Sequence, residues 1–277
     1  MEFRELSEAV ADRLTELTNS LLTDWATWRT YVFLLVTLRL AGLFTVGPMF
    51  GNPVIPWKVR GMLVVMLGLC VTSMAGTPSL NQPIPNHVLE LAFIGIAEFA
   101  LGAVIGLGVH LILSAFQLAG QLIDQQAGLA FSQVMNPATQ APTNPSGQFL
   151  YLVAIAAFLA MQPIGGHLWM VGSMLESFDA IPVGDTLAMT SINELLVKAL
   201  QQSFQLAVRV AAPLLVVMTL ISLAIGYLGR SMPTVNVILM AIPVRLLAMF
   251  MILSLSLSSI ADAVVDAVPA YLEELGG

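Results

Sequence analysis

Long apolar segments joined by short polar connections make up most of this 277-residue chain. A helix needs about 20 apolar residues to cross roughly 30 Å of hydrocarbon, and backbone groups in lipid must be satisfied within the segment, which favours helices over open strands. The pattern therefore predicts an all-α, integral membrane-type protein with about six long apolar helices. These are roughly Tyr31–Gly47, Val59–Gly76, Val88–Leu118, Phe149–Leu175, Phe204–Leu228 and Val235–Ala261.

Glycine and proline positions refine these elements. Val88–Leu118 would run about 45 Å as one straight helix, so we expect it to tilt, break or extend out of the bilayer. Within it, Gly102, Gly106 and Gly108 recur at helical spacing, which predicts the close approach of another backbone. Prolines inside three later segments are expected to kink their helices and to free carbonyls; these are Pro163, Pro213 and Pro243.

The later connections predict how the chain is organised. Glu176–Ser203 is acidic with one lysine, and we expect it to be a loop. The stretch "GRSMPT" is a tight turn, so the last two apolar segments should form an antiparallel helical hairpin over residues 204–262. Residues 25–277 are expected to form a single domain, because no polar block is long enough to fold separately.

The first 24 residues have a different pattern. They are acidic and lack the basic start and the apolar run of a signal peptide. Their apolar side chains recur at spacings of three and four, which predicts an N-terminal amphipathic helix over residues 1–24. We expect it to lie against a membrane surface, a partner helix or its own chain. The apolar positions are Phe3, Leu6, Val10, Leu14, Leu17 and Leu21.

Composition supports a membrane protein and excludes several function classes. The chain is 57% hydrophobic and only 10% charged, whereas a soluble domain carries about a quarter charged residues. A net charge of −7 argues against a nucleic-acid partner. No catalytic motif is present, so we expect neither an enzyme nor a cofactor. The single Cys70 and the isolated histidines predict no disulfide framework and no metal site; the histidines are His87, His110 and His167.

Charged residues inside apolar segments are costly and therefore informative. The clear cases are Arg39, Glu98, Arg209 and Arg245. One hypothesis makes Glu98 a proton or ion site. The alternative is an interhelical ion pair with one or more of the arginines, or a contact with a neighbouring subunit.

Two stretches of the chain carry a family resemblance. The first is "GQLIDQQAGLAFSQVMNPATQAPTNPSGQFLYLVAIAAFLAMQPIGGHLWMVGSMLESFDAIPVG", in which a polar loop with a central Asn-Pro precedes an apolar run to "GGHL". The second is "LAIGYLGRSMPTVNVILMAIP", with its Leu-x-Arg-x-x-Pro turn. Together they resemble the FliR family of flagellar export proteins over roughly Trp25 to the end of the chain. The motif residues in this sequence are Gly166, His167, Arg230 and Pro233.

This resemblance implies a function that composition alone does not. It implies a subunit of the flagellar type III export gate in the bacterial inner membrane, at the flagellar basal body. Homologues of FliP, FliQ and FlhB would be its partners, with membrane lipid around the assembly and unfolded flagellar proteins in transit. Phe204–Ala261 would be the FliQ-like hairpin.

The resemblance also implies a role for the polar loop, Phe131–Gly147. In the family, the loop before the "GHL" helix projects into the pore and helps to close it. An uncharged loop can occupy a narrow passage without binding acidic or basic cargo, and its prolines keep it from pairing with a passing strand. The implied plug residues are Phe131, Gln133, Met135, Asn136, Pro137, Gln140, Pro142, Asn144 and Pro145.

This sequence departs from the family pattern at three places. The usual Asp-Pro of the loop is Asn136-Pro137 here, which removes any charged contact at that point. Extra residues precede "GHL", so the helix break there can differ. The N-terminal extension is not a standard part of the family.

Three alternatives remain open from the sequence. The first is the equivalent subunit of a virulence-type injectisome, which shares the fold. The second is a secondary transporter that uses Glu98, Arg39 and the proline-broken helices as a midplane site. The third is a purely structural membrane scaffold, in which the polar loop is a solvated surface loop.

Overall fold

A computed structural model describes residues 26–51, 55–74, 87–128, 144–163, 165–184, 188–231 and 237–276. Within these ranges the chain forms eight helices and no strand, which confirms the all-α prediction but not the count of six. The helices are α1 (Ala26–Val46), α2 (Trp57–Met74), α3 (Val88–Ala127), α4 (Pro145–Ala160), α5 (Gly166–Ala180), α6 (Ala188–Ser231), α7 (Val237–Leu255) and α8 (Leu257–Gly276).

Helix α3 is the element around which the others pack. It has 40 residues and contacts α4, α5, α6, α7 and α8. At 1.5 Å per residue it is about 60 Å long, so its polar C-terminal turns continue well past the predicted end at Leu118. It ends at Gly128, which has the left-handed φ of 83° and donates its N–H to the Gln125 carbonyl at 3.2 Å.

Glycines allow α1 to lie directly against α3. A Cβ atom added at Gly102 would overlap the carbonyl of Arg39, and one added at Gly42 would overlap the carbonyl of Phe99. Gly106 faces the backbone of Gly47 in the same way. The predicted close approach of another backbone is therefore confirmed at Gly102 and Gly106, whereas Gly108 instead leaves room for the Tyr271 side chain of α8.

Three sequence-based boundaries are wrong. Phe149–Leu175 is two helices, α4 and α5, because Pro163 lacks an amide hydrogen and Gly165 adopts a φ of 83° between them. The predicted loop Glu176–Ser203 consists mostly of the end of α5 and the first four turns of α6. Val235–Ala261 is also interrupted, since the helices on either side of Ser256 are bent by 52°.

The other two prolines do not interrupt their helices. Pro213 lies inside a continuous α6 and Pro243 inside a continuous α7. Helices α6 and α7 contact each other, but the turn residues of the predicted hairpin lie outside the described residues, so the hairpin stays a prediction. The N-terminal amphipathic helix, residues 1–24, also lies outside them.

Three helices of the described chain are long and apolar enough to cross a membrane. They are Ala26–Val46, Val88–Ala127 and Asn193–Ser231, and the bent pair Ala241–Leu255 with Leu257–Glu273 would add a fourth if it forms one span.

We predict that Gly102→Ala destabilises the protein. The added methyl group overlaps backbone atoms of α1, which cannot rotate away, so α1 and α3 must separate. Overpacking of this kind costs about 1–3 kcal/mol, and thermal unfolding in mild detergent measures it. Gly226→Ala in α6 is the matched control, because nothing lies within 4 Å of its added Cβ atom. Equal melting temperatures for the two variants would contradict the close packing of α1 on α3.

Candidate functional site

Arg39 and Glu98 form a buried ion pair between α1 and α3. Their relative exposures are 1% and 2%, and Arg39 Nε donates to Glu98 Oε2 at 2.5 Å. A single buried charge is strongly unfavourable, whereas a hydrogen-bonded pair of opposite charges offsets much of that desolvation cost. Within this chain, Arg39 is therefore the ion-pair partner of Glu98.

The same two side chains also bind the end of α5. Arg39 Nη1 donates to the carbonyls of Ser177 and Ile181, both at 3.1 Å. The guanidinium carbon lies 4.5 Å from the centre of the Phe178 ring. The last carbonyls of a helix have no partner within it, and a cation there is favoured by the helix dipole. Arg39 therefore caps the C-terminal end of α5.

Glu98 completes the network through its second oxygen. The amide N–H of Gly184 donates to Glu98 Oε1 at 2.7 Å. Gly184 has a φ of 88°, a left-handed conformation that favours glycine. It ends the "IPVG" motif, so the motif turns the chain after α5 and aims an N–H at the carboxylate. Both oxygens of Glu98 accept hydrogen bonds, and the side chain is buried. This geometry indicates a structural role for Glu98.

The other two arginines do not join this pair. Arg209 is exposed on α6, where it lines a cleft of about 490 Å³ with Asp262 and Asp266 of α8. Arg245 is half-buried on α7 and donates from Nη2 to Ser222 Oγ of α6 at 3.1 Å. Of the arginines considered for this pair, Arg39 is therefore the one that lies against Glu98.

The base of the polar loop is the second site with a definite geometry. A Cβ atom added at Gly120 would overlap the backbone of Gly147, so α3 and the start of α4 are in direct contact. The Ser146 N–H donates to Asp124 Oδ2 at 3.3 Å, and Asp124 is only 4% exposed. A carboxylate at this position stabilises the first turn of α4 by accepting an otherwise unpaired N–H.

Asp124 is a site residue that the sequence analysis missed. It is the only Asp, Glu, Lys or Arg between Glu98 and Glu176. That isolation, just before a long uncharged loop, is the signal that could have identified it. Its bond to Ser146 joins the last turns of α3 to the first turn of α4, so the two helix ends that flank the polar loop are held together.

Most of the predicted plug residues lie outside the described part of the chain. These are Phe131, Gln133, Met135, Asn136, Pro137, Gln140 and Pro142. The other two are at the base: the Asn144 carbonyl accepts the Gln148 N–H at 3.0 Å, and Pro145 is the first residue of α4. Proline suits that position because its missing N–H would be unpaired there in any residue.

An apolar cleft lies beside this base. It has a volume of about 460 Å³ and separates the first turns of α4 from α7. Phe149 of α4 and Phe250 and Leu253 of α7 line it, and Ser146 Oγ lies 3.4 Å from Met249 Sδ at its wall.

The family-motif residues that the structure describes lie at the ends of helices. Gly166 begins α5, where a side chain would overlap the Phe158 ring of α4, and His167 follows it half-buried. Arg230 is exposed in the last turn of α6, where a cation is favoured by the helix dipole. Pro233 lies outside the described residues. In the part of the chain that the structure describes, no three His, Cys, Asp or Glu side chains are placed to hold a metal ion.

Comparison with known proteins gives a consistent set of relatives. The family model described as bacterial export proteins, family 1, matches residues 30–270. The flagellar biosynthetic protein FliR of Bacillus subtilis (strain 168) is 29% identical over 232 residues, which cover 82% of this chain and 86% of the relative. FliR of Caulobacter vibrioides is 27% identical over 234 residues, covering 84% and 91%, and FliR of Aquifex aeolicus is 28% identical over 224 residues, covering 81% and 84%.

We predict that Glu98→Gln lowers the free energy of unfolding by about 3–5 kcal/mol, because it leaves the Arg39 charge buried without a counter-ion. Adding Arg39→Met should recover part of the loss, since it removes that charge. Arg209→Gln is the control, and as an exposed substitution it should change stability by less than about 0.5 kcal/mol. Chemical unfolding in detergent measures all three. A Glu98→Gln variant as stable as the unmodified chain would show that the pair is not needed for the fold.

Proposed function

The chain belongs to the family of bacterial export proteins, family 1, and we propose that it is a structural subunit of a flagellar protein-export apparatus. The observation that carries this proposal is the extent of the match, which runs from α1 into α8. Curated relatives named as flagellar biosynthetic proteins align over most of their own length as well. In this role the protein conducts other proteins and catalyses no reaction.

The finer proposal places the chain in the bacterial inner membrane with homologues of FliP, FliQ and FlhB. Together they would form a channel for unfolded flagellar proteins. Support comes from large apolar side chains that α6 and α7 leave exposed on the isolated chain. Many large apolar side chains exposed along two helices are typical of a surface that neighbouring subunits or lipid cover. Examples are Phe204, Leu223, Leu247, Phe250 and Met251.

We further propose that Phe131–Gly147 plugs the channel at rest and moves aside for cargo. The geometry of its base supports this role. The Asp124–Ser146 bond and the Gly120–Gly147 contact hold the two helix ends together. A loop attached at such a fixed base can change conformation without separating the helices that carry it. Its lack of charge would leave passing chains free to slide.

The transporter alternative loses support at its proposed centre. Both oxygens of Glu98 accept hydrogen bonds from the protein, and the side chain is buried. A solute or ion site at Glu98 would require this network to open. No observation on the described residues favours an injectisome over a flagellum, and an export experiment separates the two.

Deletion of the gene in the encoding bacterium should abolish filament assembly and remove flagellin from the culture supernatant. The physical reason is that a channel lacking one wall cannot conduct unfolded chains. Immunoblots of the supernatant and electron microscopy of the cells measure the two effects, and a plasmid copy should restore both. Normal filaments with loss of other secreted proteins would indicate an injectisome. Normal filaments with normal secretion would refute an export function.

A shorter deletion tests the plug. Removing residues 136–143 keeps Asn144, the start of α4 and the Asp124 bond, so the complex should still assemble. We expect the assembled channel to leak ions at rest, which conductance in planar bilayers measures. The control replaces the same residues with eight glycines and serines, which keeps the length of the loop and should leak less. An assembled deletion variant with unchanged conductance would rule out the plug.

A further inference from the structure

The apolar cleft beside the base of the polar loop has a buried carboxylate behind its wall. The cleft holds about 460 Å³ between the first turns of α4 and α7, and apolar side chains form most of its lining. Ser146 lines it as well, and the Ser146 N–H donates to Asp124 Oδ2 at 3.3 Å. The Asp124 carboxylate therefore lies directly behind the residue that forms this part of the wall.

Both polar side chains at this point have hydrogen-bonding capacity to spare. Asp124 is 4% exposed, and its Oδ1 is buried without a hydrogen-bond partner among the described residues. Ser146 is 3% exposed, and its Oγ lies 3.4 Å from Met249 Sδ, a weak acceptor. Burying a carboxylate is costly unless it is both paired and hydrogen-bonded. The single N–H from Ser146 leaves most of that cost without compensation.

The neighbouring parts of the chain supply no cation for Asp124. The sequence has no Lys or Arg between Glu98 and Glu176, so neither α4 nor the polar loop carries one. Helix α7 contains one basic residue, Arg245. Its Nη2 donates instead to Ser222 Oγ of α6 at 3.1 Å, and among the described residues no ion pair joins it to Asp124. The chain thus provides the anion of an ion pair without the cation.

The cleft is continuous with apolar surface that another molecule has to cover. Phe250 of α7 lines the cleft and is largely exposed, and Leu247 and Met251 beside it on the same helix are exposed too. The acyl chains of lipid would cover such a face without compensating a buried charge. A helix of another protein can carry apolar side chains and one basic side chain together, as intramembrane ion pairs require.

We propose that a lysine side chain of a neighbouring subunit enters this cleft and that its ammonium pairs with Asp124. Its flexible four-carbon stem packs against Phe149 and Leu253, since long basic side chains readily cover apolar surface. Its compact head donates to a single oxygen, which suits a carboxylate whose Oδ2 already accepts the Ser146 N–H. The planar fork of arginine pairs best with two oxygens at once. This pairing rests on the proposed role of the chain as a subunit of an assembly.

Asp124→Asn separates this role from the one that Asp124 has within its own chain. The amide oxygen of asparagine can still accept the Ser146 N–H and keep the first turn of α4 in place, but it carries no charge. A merely structural role therefore survives the substitution, and pairing with an ammonium does not. Asp266→Asn is the matched control, because it makes the same exchange at an exposed position on α8.

A zero-length cross-link in the native complex tests the pairing. Dicyclohexylcarbodiimide, which enters apolar sites, activates a carboxyl group, and a lysine amine in contact then forms an amide with it while dicyclohexylurea leaves. The complex is extracted from its own membrane in mild detergent, treated, digested and analysed by mass spectrometry. We expect Asp124 joined to a lysine of another polypeptide. This product should disappear in Asp124→Asn and persist in Asp266→Asn.

Three results would overturn the proposal. An intact complex in which Asp124 carries only the N-acylurea adduct has a carboxyl group there with no lysine in contact. A cross-link to Lys58 or Lys198, the two lysines of this chain, would place the cation within the chain itself. A chain that purifies without any neighbour would refute the role as a subunit together with the pairing, whereas the first two results leave that role intact.

A double-mutant cycle separates the proposed lysine from Arg245. Asp124→Asn and Arg245→Gln are made singly and together, and native mass spectrometry follows the temperature at which neighbouring subunits leave the complex. We expect Asp124→Asn to lower this temperature by several degrees, and the effects of the two substitutions to add, as they do for independent sites. Strongly non-additive effects would make Arg245 the counter-ion. An Asp124→Asn complex that dissociates at an unchanged temperature would refute the pairing as well.

Discussion

The fold depends on the buried contact between Arg39 and Glu98. Through this pair α1, α3, the end of α5 and the turn at Gly184 meet at one point. An uncompensated charge in this interior would be strongly unfavourable, so the four segments must all pack around the pair in the folded protein. The glycines of α1 and α3 lie beside this pair, because Gly102 contacts the backbone of Arg39 itself and holds the two helices close together there.

Away from this contact, the isolated chain leaves apolar helix surface uncovered. Of the most apolar stretch of α3, 61% is buried within the chain, against 22% for α6. Helix α3 is therefore an interior element, whereas α6 and α7 carry apolar surface that only another molecule can cover. A subunit of a larger assembly resolves this imbalance.

Some of this architecture could be predicted from the sequence, and the reasons for success and failure are physical. Apolar runs indicated the helical class, and the scarcity of charge singled out Glu98 and three arginines, but the sequence did not show which arginine pairs with Glu98. Pro163 and the residues before "GHL" indicated a break near Gly165, whereas the break at Ser256 was missed because apolar character continues across it. The first turns of α6 were missed because their polar residues resemble a loop, although buried positions such as Ala199 and Leu206 follow a helical spacing. Asp124 acts through a contact with Ser146, which only the folded chain reveals.

The mass of the native complex tests the central claim most directly. The chain is extracted from its own membrane in mild detergent and the intact particle is weighed. The account predicts a heavy particle that contains at least two other small apolar proteins, because the exposed faces of α6 and α7 require covering. A stable monomer or homodimer that moves a solute on its own would contradict the account.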